Sequence, residues 1–188
     1  VKLRYLAGSA GIAGVMMWVL IKAESYRFER ILAFMNPQSD SKGISYQINQ
    51  ALLAIGSGGF WGNGFGQSRQ KYNYLPEPIG DSIFAIMSEE LGFLRVSIVL
   101  GLFLALAYRG FRVALKAPDT FGRLIAGGIT SWFVFQALIN IGGITAIIPL
   151  TGIPLPFISY GSTALAINLA SLGVLLNVSR HTHTNSPA

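Results

Sequence analysis

The chain has 188 residues, 52% of them hydrophobic and only 12% charged, with 14 Lys and Arg against 8 Asp and Glu for a net charge of +6. Soluble domains carry about 25% charged residues, so this composition is that of a membrane protein, with its positive charge in the flanks of the spans and not on a nucleic-acid surface. With no cysteine there is neither a disulfide nor a thiolate metal site, and the two histidines sit together in a polar tail, which leaves carboxylates as the remaining metal ligands.

The chain opens on Val-Lys-Leu-Arg without an initiator Met and runs at once into apolar sequence with no small-residue cleavage site. The expectation is the C-terminal part of a longer protein, not a signal peptide. Four segments are apolar over the roughly 20 residues that a helix needs to cross a bilayer, at about 3–22, 81–108, 124–150 and 158–178. The expected fold is all-α: a polytopic membrane helical bundle, four transmembrane helices forming part of one integral membrane domain over 1–188. Lys2 and Arg4 precede the first span, Arg109, Arg112, Lys116 and Arg123 lie between the second and third, and Arg180 follows the fourth. The positive-inside rule puts these clusters, and with them both ends of the fragment, in the cytoplasm. The segment 23–80 then faces outward.

That outward loop is too long for a plain connection and should be partly helical. YRFERILAFMNP places Phe28, Ile31, Leu32 and Met35 at helical spacing opposite Arg27, Glu29 and Arg30, the pattern of an interfacial helix. SYQINQALLAIGSGGFWG places Ile48, Leu52 and Ile55 on one face and then breaks at a glycine cluster. GSGGFWGNGFG fits neither the dinucleotide fingerprint nor the Walker pattern, which excludes nucleotide binding. Trp61, Phe65, Tyr72 and Tyr74 beside Arg69 and Lys71 suit either a sugar-phosphate headgroup or an aromatic anchor at the membrane interface.

YLPEPIGDSIFAIMSEELG, residues 74–92, carries Glu77, Asp81, Glu89 and Glu90, half the acids of the chain. On a straight helix from Asp81 to Tyr108, Asp81 lies at the outer interface, Glu89 and Glu90 about 12 to 14 Å along, and Arg95 near mid-membrane at about 21 Å. Glu89 and Arg95 are about 120° apart and Glu90 and Arg95 about 140°, so neither acid pairs neatly with Arg95. The expectation is that partners lie in a part of the protein that this chain lacks, or that one or both glutamates are protonated, with structural glue between helices as the plainer role. Asp81 follows Pro78 and Gly80 at a helix start, so it is either an N-cap or a general base at the mouth of a membrane cavity. Gln136, Asn140 and Asn168 read as interhelical hydrogen-bonding residues. PLTGIPLPFISYGS, with three prolines and two glycines, reads as a stiff outer turn that either floors a site or caps the bundle.

The ordered run YQINQALLAIGSGGFWGNGFGQSRQKYNYLPEPIGDSIFAIMSEELG, APDTFGRLIAGGIT, QALINIGG, PLTGIPLPFISYG and LLNVSRH resembles the C-terminal half of the SEDS family (shape, elongation, division and sporulation; FtsW, RodA and SpoVE) over nearly the whole chain. LLNVSRH and GNGFGQSRQK are closest to its FtsW branch. The resemblance implies a multi-pass peptidoglycan glycosyltransferase of the bacterial cytoplasmic membrane that polymerises lipid II, the undecaprenyl-pyrophosphate disaccharide-pentapeptide, during cell division. It implies that Asp81, in LPEPIGDSIFA, is the catalytic base, with Arg69, Lys71, Glu77, Thr151 and Tyr160 as candidate substrate-binding residues and no protein metal site. No cofactor is required by it; a divalent cation, Mg or Mn, is a candidate stabiliser of the leaving pyrophosphate. Implied partners are a class B penicillin-binding protein transpeptidase, other divisome proteins and membrane lipids. Many relatives read His-Thr-Asp where this chain has Ile79-Gly80-Asp81 and Gly-Gly where it has Gly161-Ser162, and Arg95 stands where a small residue is expected. A flippase for a lipid-linked precursor, motivated by Glu89, Glu90 and Arg95, and a divisome scaffold are the alternatives.

Overall fold

The structure, a computed structural model, describes Tyr5, Gly8, Gly11, Val15 and Met16, and residues 25–35, 43–70 and 80–184. The five described residues of the first expected span are helical; the rest of that span lies outside the described residues. Among the described residues five longer helices follow: α1 (Ser25–Met35), α2 (Ile44–Gly58), α3 (Ile83–Lys116), α4 (Thr120–Ile144) and α5 (Ser162–Thr184). Among the described residues, α3, α4 and α5 are long and apolar enough to cross a membrane. This is a polytopic helical membrane protein.

The helix ends depart from the apolar windows, for local reasons. Arg109, Arg112 and Lys116, placed by sequence in a loop, are the last turns of α3, because their long stems tolerate a helix and their charged tips reach the polar end. Only residues 117–119 connect to α4, whose N-cap is Asp119, its carboxylate accepting from the Gly122 N–H at 2.8 Å. α4 stops at Ile144 rather than near 150, since Ala146 turns the chain at φ 56° and residues 146–161 fold back over the helix end. That fold-back is anchored where Gln136 Nε2 donates to the Pro154 carbonyl at 3.0 Å and Phe133 packs on Phe157. It delays the start of α5 to Ser162.

Ile48, Ala51 and Ala54 of α2, Phe84, Ala85 and Ile86 of α3, Ala137 and Ile144 of α4, and Leu150 and Leu155 of the fold-back form the main core. It sits at the outer-loop end of the bundle. A smaller cluster of Ala114, Ala126 and Leu175 closes the basic end. Between them Ile98, Leu102, Phe135, Leu138, Ile167 and Leu169 are exposed, the surface that hydrocarbon covers.

The buried face of α2 differs from the expected one. Ser45, Ile48, Ala51, Ala54 and Gly58 are buried, whereas Leu52 is exposed. Small residues win this face because α2 presses close on α3: a Cβ on Gly58 would collide with the Ser88 carbonyl. In α1, Leu32 and Met35 face outward as an interfacial helix requires, and Ala33 is buried.

α3 is two helices joined at a break. Gly92 lies at φ 74°, ψ 174°, which a helix cannot contain. A continuous helix would bond the amides of Phe93 and Leu94 to the carbonyls of Glu89 and Glu90. Instead Asn63 and Gly64 donate to those two carbonyls at 3.0 Å, while Phe93 and Leu94 donate to Gly59 and Phe60 at 2.9 and 3.3 Å. The glycine-rich loop therefore fills the break with its own backbone, which satisfies groups that would be costly beside lipid. Gly62 (φ 80°) and Gly92 interlock, since a Cβ on either would strike the backbone of the other segment.

This break also decides what surrounds the charges. Residues 83–92 are largely buried by α2 and α4, and lipid-facing apolar exposure begins at Phe93. Phe60, Trp61 and Phe93 make an aromatic cluster there, with ring centroids 5.3 and 6.1 Å apart, of the kind that marks a membrane interface. Arg95 follows within one turn and donates to the Trp61 carbonyl at 3.0 Å. Its guanidinium is thus engaged by the glycine-rich loop beside this aromatic cluster.

Candidate active site

Asp81 stands just before α3, half-buried, at the meeting point of α1, α2, α4 and the fold-back. The helix cap position is Ser82, whose side chain makes no capping hydrogen bond. The N-cap role considered for Asp81 therefore falls to its neighbour. Its backbone is fixed by Asn140, whose Nδ2 donates to the Asp81 carbonyl at 2.9 Å and to the Ile153 carbonyl at 2.7 Å. Asn140 thus ties the start of α3 to the fold-back from within α4. Its own burial excludes water from both bonds, which makes them costly to lose.

The carboxylate is oriented separately. Gln47 of α2 donates to Asp81 Oδ1 at 3.5 Å and to Ser82 Oγ at 3.1 Å, and Ser82 Oγ lies 3.4 Å from the same carboxylate oxygen. Arg30 of α1 donates through NH1 to the Leu150 carbonyl at 2.9 Å. Its two terminal nitrogens lie 3.3 and 3.5 Å, and Asp81 Oδ2 3.7 Å, from the point where a Cβ on Gly152 would sit. Guanidinium and carboxylate share the space beside the Gly152 backbone. Gly152 has φ 74°, so both its missing side chain and its left-handed backbone suit this position.

The expected substrate-binding residues divide. Thr151 is exposed and adjoins Gly152, hence adjoins the Asp81 and Arg30 groups. Tyr160 is 79% exposed at the far end of the fold-back. Arg69 is exposed, and what engages it is its backbone N–H, which donates to Glu89 Oε1 at 3.0 Å. Lys71 and Glu77 lie outside the described residues, as do Tyr72 and Tyr74.

Glu89 finds its partners within this chain, contrary to the expectation from helix angles. It is 2% exposed and accepts from Ser68 Oγ at 2.6 Å as well as from the Arg69 N–H. Two donors from the loop explain how a carboxylate can be buried there. Glu90 gives its carbonyl to Gly64, while its Oε1 is buried without a partner among the described residues; we have no account of that oxygen.

Sequence reasoning missed Arg30, Gln47 and Gly152, and gave Asn140 only a general interhelical role. Gln47 within the apolar run of α2 and the polar face of α1 were the available signals. The described residues do not form a divalent-cation site around Asp81. No three His, Asp or Glu side chains converge among them, and the guanidinium of Arg30 puts positive charge beside the one carboxylate.

What the arrangement offers is a single oriented carboxylate next to a fixed cation, at the outer-loop end of a membrane bundle. Comparison with known proteins finds the same region elsewhere. A relative named Stage V sporulation protein E, from Bacillus subtilis, is 51% identical over 94% of this chain and 47% of its own length. Relatives named probable peptidoglycan glycosyltransferase FtsW, from Trichlorobacter lovleyi and from Geobacter sp. strain M18, are each 43% identical over 95% of this chain and 47 and 48% of theirs. A solved chain from a peptidoglycan synthase complex, described as coordinating polymerization and crosslinking, matches with a TM-score of 0.70 and 28% identity, over 98% of this chain and 51% of that one. The chain thus spans about half the length of the relatives that it matches. The family model for FtsW, RodA and SpoVE, described as cell cycle proteins, matches residues 1–184, and the chain belongs to that family.

Proposed function

We propose that this chain carries the catalytic carboxylate of a peptidoglycan glycosyltransferase that polymerises lipid II in the bacterial cytoplasmic membrane, with Asp81 as general base. The observation that carries the reading is Asp81 itself: its backbone is clamped by Asn140, its carboxylate is held by Gln47, and Arg30 stands beside it. The names of the FtsW relatives support the same chemistry.

In this mechanism Asp81 removes the proton from the 4-hydroxyl of the acceptor sugar. The freed oxygen attacks the anomeric carbon of the donor, and the bond from that carbon to the pyrophosphate oxygen breaks as undecaprenyl pyrophosphate departs. One displacement inverts the anomeric centre. Gln47 keeps the carboxylate aimed, and Arg30 meets the charge that develops on the leaving phosphate. Arg30 replaces Arg69 as the preferred cation, because it is the one placed beside Asp81. Thr151 lines the sugar side. The lipid tail stays in hydrocarbon while the reacting groups meet at the outer lip, with the basic helix ends in the cytoplasm. A class B penicillin-binding protein is the proposed partner, in keeping with the polymerization and crosslinking complex.

Division is the role that the GNGFGQSRQK and LLNVSRH segments support. Sporulation is the second reading, favoured by the 51% identity to the Stage V protein. Depletion of the full-length protein separates them: filamentous growth supports the first, and normal growth with failed sporulation supports the second. The flippase reading loses two of the three residues that motivated it, since Glu89 and Arg95 hold the loop to the break in α3.

The chemical test is Asp81→Asn in the full-length protein with purified lipid II. Polymerisation should fall by about 10²–10⁴-fold while membrane insertion and partner binding persist. Near-normal polymerisation overturns the assignment.

A further inference from the structure

At the end of the bundle remote from Asp81, α3 and α5 run in the same direction and leave a groove of about 830 Å³ between their final turns. Its lining changes character along the helix axes. Leu106 and Leu172 lie deepest, Arg109 and Arg112 come next, and Lys116 and His181 stand at the rim. At 1.5 Å per residue, Leu106 and Lys116 are about 15 Å apart along α3. Arg109, Arg112 and Lys116 are all exposed. Arg112 is steadied over the Tyr108 ring, 5.6 Å from its centroid. Among the described residues no carboxylate lines the groove. Asp119, close by in sequence, is engaged at the α4 N-terminus by the Gly122 N–H.

We infer that this groove binds an anionic glycerophospholipid, with its phosphate among Arg109, Arg112 and Lys116 and an acyl chain along Leu106 and Leu172. The order of groups along the wall, apolar and then cationic toward the rim, is that of a phospholipid from chain to headgroup. Charge complementarity selects the occupant: three clustered cations without a lining acid among the described residues need an anion, and the membrane leaflet supplies one attached to hydrocarbon. The site lies away from the proposed chemistry and does not depend on it.

The test uses the full-length protein in vesicles of phosphatidylcholine with a minority of phosphatidylglycerol, extracted in mild detergent, with bound lipid counted by native mass spectrometry. Phosphatidylglycerol should be retained in preference to phosphatidylcholine. Arg109→Gln with Arg112→Gln should lower that retention by about 5-fold per cation removed, whereas Arg123→Gln, outside the groove, should leave it unchanged. Equal retention of both lipids, or retention unaffected by the double substitution, overturns the inference. A photoreactive residue at Leu176 in the otherwise unaltered protein decides what occupies the groove. A lipid adduct supports the site, and an adduct to another segment of the protein itself overturns it.

Discussion

Replacing Gly92 by alanine tests whether the glycine-rich loop is the structural complement of the break in α3. At φ 74°, ψ 174° an L-residue is strained by about 1–3 kcal/mol. The new Cβ would also fall onto the Gly62 nitrogen, and would lie 2.5 Å from the Trp61 carbonyl carbon and 2.8 Å from the Phe60 oxygen. All three are backbone atoms, so no rotamer change relieves the contact. The available relief is for the loop to lift and α3 to close into a continuous helix. Four loop–helix hydrogen bonds are then lost, and two return as Phe93 and Leu94 bond to Glu89 and Glu90. At about 0.5–1.5 kcal/mol per bond, the net loss of two, with the Phe60 to Phe93 ring contact, comes to about 3 kcal/mol. That is the cost of opening; the strain and clash that Gly92→Ala puts on the closed form, about 3 kcal/mol, offset it and shift the equilibrium about 100-fold toward the open loop. Amide hydrogen exchange on the full-length protein reads it residue by residue. Asn63 and Gly64 should exchange about 100-fold faster in Gly92→Ala, whereas Phe93 and Leu94 stay protected because the helix takes them over. Gly101→Ala, where a Cβ meets nothing within 4 Å, is the control. Unchanged protection at Asn63 and Gly64, or an equal effect in the control, refutes the reasoning.

Glu89→Ala should release Ser68 and Arg69 and destabilise the loop by about 2–4 kcal/mol, with Glu89→Gln milder because an acceptor oxygen remains; thermal unfolding in detergent compares the two, and equal values count against the anchor role. Gly152→Ala should lower polymerisation at least about tenfold with little change in expression, since it strains a positive φ and crowds Arg30 against Asp81; full activity would show that these two groups do not act together. Asn140→Leu leaves the Asp81 and Ile153 carbonyls without their donor, at about 1–3 kcal/mol for each buried group, so both the melting temperature and kcat should fall; a loss of neither contradicts the clamp.

Composition and hydropathy were enough to establish the membrane class, the helical fold and approximate places for α3, α4 and α5, because apolar content over about 20 residues is a local quantity. The ordered motifs were enough for the family. Asp81 was legible as a candidate, since a carboxylate after Pro and Gly at the start of a span stands out in a chain with 8 acids. The tertiary structure decided the rest. Glu89 meets Ser68 across 21 positions, Asn140 meets the Asp81 backbone across 59, and Arg30 reaches Leu150 across 120. No periodicity within one helix encodes such contacts. The same holds for the break at Gly92: on its own segment it is one glycine in an apolar run, and it becomes a break because Gly62 and its neighbours supply the hydrogen bonds that the helix gives up. The surroundings of Arg95 followed from that partner: the loop that fills the break also brings the Trp61 carbonyl to its guanidinium.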